Sequence, residues 1–162
     1  MSEEQQAPRY EREESRAETL DRNWNELLQE IRVLQTGSQI LAAFLVVLPF
    51  QARFPELDAF QTALYLGLLL LALVIVALLL TPVSLHRQLF RRRLKDRMIH
   101  TVDVLVQVAL LLLGLLLVAV AVFVLDVVVS RGAALAAGAG LAVLLVVLQV
   151  ALPRGLAPRR ED

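Results

Sequence analysis

The chain has 162 residues, of which 57% are hydrophobic and only 20% are charged, and its formal net charge is zero. The apolar residues form long runs, including 64–80 and 104–125, and a helix needs about 20 such residues to span a bilayer. These runs exclude a soluble globular protein. Because cysteine is absent, disulfides, thiolate metal sites and cysteine nucleophiles are excluded as well.

The first segment, residues 1–18, is predicted to be a disordered, charged tail. Seven charged side chains fall within residues 9–18, and apolar side chains are almost absent. Such a segment cannot bury enough apolar surface to offset the entropy lost on ordering. The membrane domain is therefore expected over residues 19–152. Pro153 is expected to end its last helix, leaving a cytoplasmic tail over 153–162.

The membrane domain is predicted to begin with a long amphipathic helix that is embedded from about Val33 onward. The apolar positions of its first part recur every three or four residues, which is the spacing of one helix face: Leu20, Trp24, Leu27, Leu28, Ile31 and Leu34. The first membrane span is expected over 33–53. The pattern leaves open whether the amphipathic start lies on the membrane surface or continues into the span.

Three further spans are predicted, over 59–81, 101–128 and 133–152. Asp58 and Gln61 match an N-cap and its capping-box partner at the start of the second span. Pro82 is expected to end or kink that helix. Residues 83–100 would then form a basic connector with an apolar stripe of its own.

The distribution of lysine and arginine predicts the orientation of the spans. Fourteen of the 16 basic residues lie before the first span, in the 83–100 connector or in the C-terminal tail, whereas Arg53 and Arg131 alone lie in the other two loops. Cytoplasmic loops keep an excess of positive charge. The expected architecture is therefore an all-α integral membrane four-helix bundle with both termini in the cytoplasm (N-in/C-in).

Several polar stretches give the chain a resemblance to a known family: 21–30 (DRNWNELLQE), 48–51 (LPFQ), 82–87 (PVSLHR) and 90–96 (FRRRLKD). With them, residues 21–152 resemble an uncharacterised actinobacterial family of small four-span membrane proteins. Some members carry an automatic label as sodium:proton antiporters. The resemblance implies a location in the bacterial inner membrane, and it brings no catalytic residues with it.

Polar residues inside or near the spans are the candidates for a proton or ion path, because charged groups are costly in the membrane. Asp103 has His100 three residues before it and Gln107 four residues after it, so all three share one helix face. A proton relay is one interpretation; the other is an ion pair with a connector arginine at the start of the helix. Gln35 and Gln39 line the path in the first interpretation and join neighbouring helices in the second.

Two further features concern packing between helices. Ala134, Gly138 and Ala142 form a small-residue ridge that permits close approach of another helix, either within the chain or, as we expect, between chains. Asp126 and Arg131 flank the turn before the fourth span, and a local ion pair accounts for them, of the kind that contributes little when exposed.

The distinctive polar residues of the cytoplasmic side are predicted to form a face that contacts anionic lipid head groups or a membrane protein partner: Trp24, Glu26, Glu30, Arg91, Arg92 and Arg93. No phosphate loop, metalloprotease helix or nucleophile elbow occurs in the sequence. Enzyme activity, nucleic-acid binding, a metal site and a cofactor are therefore not expected.

Two functions follow from these observations. The first is a non-enzymatic structural or interaction module that forms homo-oligomers and has a basic cytoplasmic face. The alternative is a proton- or cation-coupled transporter or channel, in which a homo-oligomer supplies the walls of the path. The first is preferred because the ionisable groups cluster near the interfaces and not at the middle of the spans.

Overall fold

The computed structural model describes residues 16–89 and 95–156. In this part of the chain, four helices are long and apolar enough to cross a membrane and there is no strand, which confirms the all-α, four-span fold class. The helices are α1 Arg16–Val47, α2 Ala59–Leu89, α3 Lys95–Val128 and α4 Arg131–Val146. We call the end of the bundle where α1 and α3 begin the terminal end. The opposite end, with residues 48–58 and 129–130, is the turn end.

The core of the bundle lies between α1, α2 and α3. Its fully buried side chains come mainly from the inner face of α2 and the middle of α3: Tyr65, Leu68, Ala72, Ile75, Leu79, Ala109 and Leu116. The Tyr65 hydroxyl donates a hydrogen bond to the Leu45 carbonyl oxygen at 3.0 Å, so α1 is joined to α2 by a polar contact within this apolar core. Helices α1 to α3 thus form a closed three-helix unit.

Helix α4 packs on the outer side of this unit, against α3. Only 6% of the residues in the apolar 18-residue stretch of this span are buried, compared with 28% in the corresponding stretch of α2. α4 is followed without a break by a π-helical turn, Val147–Ala151, and a short helix, Leu152–Leu156. Pro153 therefore does not end the helix as expected, because the wider π turn before it displaces the backbone that its ring would otherwise meet.

The amphipathic start of α1 continues into the span as one helix. Its Trp24, Leu27 and Ile31 side chains form a second apolar cluster with Val102 and Val106 of α3. At 1.5 Å per residue, the 32 residues of α1 extend about 48 Å, compared with about 30 Å for the hydrocarbon core of a bilayer. The apolar stripe is therefore covered by α3 and does not lie free on a membrane surface.

Helix α2 continues through Pro82, where the sequence predicted an end or a kink. The parts of α2 and α3 that are long and apolar enough to cross a membrane, Ala59–Ser84 and His100–Val128, still leave a connector between them. α2 runs on to Leu89, and α3 already begins at Lys95. Pro82 removes one backbone donor from the helix and weakens the turn before it. The Gln35 side-chain amide donates to the Leu79 carbonyl oxygen at 2.9 Å, so α1 supplies a hydrogen bond within the affected turn.

The remaining bounds differ modestly from the expected ones. α1 begins at Arg16, inside the segment assigned to the tail, and ends at Val47, ahead of two 3-10 turns, Leu48–Phe50 and Phe54–Glu56. α4 begins two residues early because the Ser130 hydroxyl accepts a hydrogen bond from the Ala133 N–H and caps the helix. The predicted run Arg91, Arg92 and Arg93 lies outside the described residues, as do 1–15 and 157–162.

Candidate functional site

A cluster of polar side chains joins three helices at the turn end. Asp58 and Gln61 form the predicted capping box at the start of α2: the Gln61 N–H donates to Asp58 Oδ1 at 2.8 Å, and the Asp58 N–H donates to Gln61 Oε1 at 3.0 Å. The Gln61 side-chain amide also donates to Asp126 Oδ2 at the end of α3, at 2.9 Å. Gln61 thus connects the cap of one helix with the end of another.

Arg131, at the start of α4, completes this turn-end cluster. Its Nε donates to Asp126 Oδ1 at 3.1 Å, and its Nη2 donates to Asp126 Oδ2 at 3.2 Å and to Asp58 Oδ2 at 2.8 Å. The guanidinium carbon also lies 4.2 Å from the centre of the Phe60 ring, within the range of a cation–π contact. One arginine therefore binds both carboxylates and an aromatic face.

Burial distinguishes this cluster from an ordinary surface ion pair. The Asp126 side chain is only 2% exposed, whereas those of Asp58 and Arg131 are about half exposed. The Gln61 backbone N–H, with Arg131 beside it, holds the pKa of Asp58 below its usual 3.8. All these polar groups are engaged with one another, so the cluster fixes helix ends and has no unpaired acid or base for chemistry.

The sequence predicted the two halves of this cluster separately and missed their union. The capping box came from local spacing, and Asp126 with Arg131 was interpreted as a local pair. Charge is the signal that could have connected the two halves. Arg131 is the single arginine of the turn at 129–131, and Asp58 and Asp126 flank turns that the predicted topology places on the same side of the membrane.

At the terminal end, the structure brings two predicted sets of residues together. An open groove of about 340 Å³ between α1 and α3 is lined by Glu26 and Glu30 from the predicted partner face and by His100 and Asp103 from the predicted ion path. The Gln107 amide donates to Asp103 Oδ2 at 3.0 Å, as the shared helix face led us to expect. The groove is acidic and opens outside the apolar core.

The two amides of α1 lie apart from this groove. Gln35 is directed to α2 by its bond to the Leu79 carbonyl, and Gln39 is exposed on the surface of the bundle. Between the terminal and turn ends, the three-helix unit is filled by buried apolar side chains such as Leu68 and Leu116. The described residues thus place the predicted path residues at different surfaces of one chain.

The small-residue ridge of α4 is used within the chain. Ala134 is fully buried, and a Cβ on Gly138 would meet the Val122 side chain of α3, so the close approach that the ridge permits is made to α3. Ala142 lies further along the same contact, in a groove that also holds Gln149. Gln149 was not singled out from the sequence, although it is the sole polar residue between Gly132 and Pro153.

Across residues 16–89 and 95–156, no three histidine or acidic side chains come close enough together to hold a metal ion.

Comparisons with known proteins connect the chain to one family. No curated protein matches it, and no solved structure does. The model of DUF6328, a family of unknown function, matches residues 13–153, which include all four membrane helices. The resemblance to an uncharacterised family is thereby confirmed, and the chain belongs to the DUF6328 family.

Proposed function

We propose that this protein is a non-enzymatic interaction module of the bacterial inner membrane that works as a homo-oligomer. The observation that carries the proposal is the position of α4, which covers α3 with one face and leaves most of its remaining surface uncovered. On that uncovered surface Gly132, Ala136 and Gly140 are exposed at four-residue intervals. Small residues at this spacing allow two membrane helices to approach closely, so a second copy is the expected neighbour.

The second interaction surface of the proposed module is the terminal end. Exposed Glu26 and Glu30 stand on α1 beside the groove that also contains His100 and Asp103, and the sequence places a strongly basic segment nearby, between α2 and α3. This combination of acidic and basic groups suits a charged protein partner, while the arginines suit anionic lipid head groups. Under the positive-inside rule this end faces the cytoplasm, together with both termini.

The oligomer is tested by native mass spectrometry of the full chain released from lipid nanodiscs. We expect an assembly of two or more copies that is lost in Ala136→Leu, because a large side chain would separate the helices. Ala63→Leu, at an exposed position of α2, is the matched control and should leave the assembly intact. A monomeric wild-type protein would contradict the proposal.

The partner surface is tested by cross-linking in native membranes followed by purification. Glu26→Gln combined with Glu30→Gln should change the set of cross-linked proteins, whereas Glu56→Gln at the turn end should not. An identical set in all three proteins would show that the terminal end does not bind a partner through these carboxylates.

A second candidate function is a proton- or cation-coupled transporter or channel formed by the oligomer. The automatic antiporter label of some members of the actinobacterial family that the chain resembles names an activity of this kind. The observation in its favour is the groove that joins His100 and Asp103 to two glutamates. Since the interior of one chain is filled with apolar side chains, the path would have to run between copies. Proteoliposomes with Asp103→Asn should then show reduced ion flux, and equal flux would exclude a role for this carboxylate.

A further inference from the structure

The contact between α3 and α4 opens into a groove toward the terminal end. Its inner part, about 220 Å³, is lined by apolar side chains and by two small residues, Gly114 and Ala142. Its outer part, about 490 Å³, continues past Gln107 and Gln149 to Arg154. Leu111, Gln149 and Val150 line both parts, so the two volumes form one continuous groove, which we call the α3–α4 groove.

Inside the groove, a glutamine side chain packs against a glycine. Gly114 has no side chain, and the Gln149 amide lies where a Cβ on Gly114 would come within 3.1 Å of its nitrogen. Gln149 stands in the π-helical turn Val147–Ala151, and π turns within α-helices are often found at functional sites. The change from α-helical to π-helical winding after α4 therefore coincides with the position of Gln149 inside the groove.

The length of the groove corresponds to one leaflet of a bilayer. Ala142 and Arg154 are twelve positions apart, or about 18 Å at 1.5 Å per residue, and half of the hydrocarbon core is about 15 Å thick. The inner part thus lies at the depth of an acyl chain when Arg154 is at the head groups. A groove of this polarity, apolar inside and polar at the mouth, matches the profile of a lipid molecule.

The positive charge of Arg154 at the outer end of the groove favours lipids with an anionic head group. Arg154 is the charged residue among the described side chains that line the groove, and none of these is a carboxylate. The acidic groups of the terminal end line the other groove, between α1 and α3, and Asp103 of that groove accepts one hydrogen bond from the Gln107 amide. The Gln149 amide and the second N–H of the Gln107 amide can donate hydrogen bonds to ester or phosphate oxygens below the guanidinium.

We propose that the α3–α4 groove binds one anionic phospholipid per chain from the leaflet at the terminal end, with an acyl chain along Gly114 and Ala142 and its phosphate on Arg154. The site deepens the proposed function by naming a lipid partner, but it needs no second copy of the chain, since all of its lining belongs to one. It is also distinct from a general attraction of the basic connector for the membrane surface.

The test is native mass spectrometry of the full chain in detergent, titrated with phosphatidylglycerol or with phosphatidylcholine of the same acyl chains. We expect one phosphatidylglycerol per chain to be retained at several-fold lower lipid concentration than phosphatidylcholine. Arg154→Gln should weaken retention of phosphatidylglycerol about fivefold, the effect of one well-placed basic side chain, and should leave phosphatidylcholine unchanged. Arg53→Gln, at the turn end, is the charge-matched control and should behave as the wild type.

A second pair of variants tests the apolar part. Ala142→Leu should fill the groove and weaken retention of both lipids, whereas Ala63→Leu on α2 should weaken neither. Equal retention of the two lipids by the wild type, or an Arg154→Gln variant that retains phosphatidylglycerol as the wild type does, would overturn the proposal. So would an Ala142→Leu variant that dissociates an oligomer and keeps its lipid, because the groove would then be an interface between copies. A monomer that still selects phosphatidylglycerol would contradict the assembly and support the lipid site.

Discussion

Asp126 shows how a carboxylate is kept at the end of a membrane helix. Both of its oxygens are occupied: Arg131 donates to each of them, and Gln61 donates to one. A buried charge is tolerated when its hydrogen bonds are complete. If one partner is removed, the other is left as an uncompensated buried charge, which is strongly destabilising. The weight of each member of the turn-end cluster therefore depends on the others.

We expect Arg131→Gln to be among the most destabilising single substitutions at the turn end. It removes the cation from Asp126 and Asp58 and the contact with Phe60, and we expect the thermal midpoint in detergent to fall by several degrees. Arg53→Gln is the matched control, because Arg53 is 80% exposed and its ion pair with Glu56, at 3.4 Å, is of a type that contributes little.

The double variant Asp126→Asn with Arg131→Gln separates the ion pair from the other contacts. If the two residues act as a unit, its midpoint falls by less than the sum of the two single effects. Strictly additive effects would show that the two side chains stabilise the bundle independently.

Asp58 predicts a dependence of stability on pH. Its pKa is lowered in the folded chain, first by the Gln61 N–H and then by Arg131, so the ionised carboxylate stabilises the fold above its ordinary pKa of 3.8. This contribution disappears as the pH falls through the lowered value of the folded chain. The difference in thermal midpoint between the wild type and Asp58→Asn should be constant from about pH 8 to about pH 5 and shrink below the ordinary pKa. A difference that is lost already near neutral pH would contradict this assignment.

At the scale of helices, Gln35 of α1 and Pro82 of α2 are linked through the turn of α2 that precedes the proline. Gln35 supplies a donor to the turn of α2 that precedes the proline. Gln35→Leu is expected to lower the free energy of unfolding by about 1 kcal/mol, in the range of side-chain hydrogen bonds between membrane helices, as measured by reversible unfolding in mixed micelles. Gln39→Leu, exposed on the same helix, should be neutral. In a Pro82→Ala background α2 regains the hydrogen bond from the N–H of residue 82 to the Leu78 carbonyl, which straightens the turn and lets the neighbouring Leu79 carbonyl pair within α2. The loss should then be smaller, and an undiminished loss would contradict the link to Pro82.

The contact of α4 with α3 makes a second prediction at this scale. A Cβ on Gly138 would meet Val122 Cγ2, and a β-branched side chain in a helix has little rotamer freedom with which to move away. Gly138→Ala should therefore lower the free energy of unfolding by about 1–3 kcal/mol, the usual cost of overpacking. Gly67→Ala on α2, where the new methyl group meets nothing within 4 Å, should be neutral or stabilising by up to about 1 kcal/mol. Equal effects of the two substitutions would show that close packing at Gly138 is not needed.

The features of these helices that could be predicted from the sequence are the local ones. The number of spans follows from the length of the apolar runs, and the capping box follows from the spacing of Asp58 and Gln61. The rotation of one helix relative to another cannot be predicted in the same way, because a continuous apolar run has no polar face that would indicate which side is buried. For that reason the contact of Gly138 with α3, the bond from Gln35 to α2 and the place of Gln149 appeared only with the structure.

At the scale of the whole molecule, the orientation of the bundle is open to a direct measurement. Since the chain contains no cysteine, a single introduced thiol gives a signal free of background. Ala52→Cys lies exposed at the turn end and Gln29→Cys lies exposed at the terminal end. In spheroplasts, a membrane-impermeant maleimide should label Ala52→Cys at once and Gln29→Cys only after lysis. The reverse pattern would place the termini outside the cytoplasm.

The turn-end cluster also implies an order of biogenesis. Arg131 follows Asp126 by 5 residues but follows Asp58 by 73, so during synthesis Asp58 is made long before its cation exists. Arg131 can pair with Asp126 as soon as it is synthesised. Until then, Asp58 has the hydrogen bonds of the capping box with Gln61 but no cation beside it. The bond between Arg131 and Asp58 therefore forms only when α3 and α4 have been inserted beside α1 and α2, and it marks the assembly of these four helices.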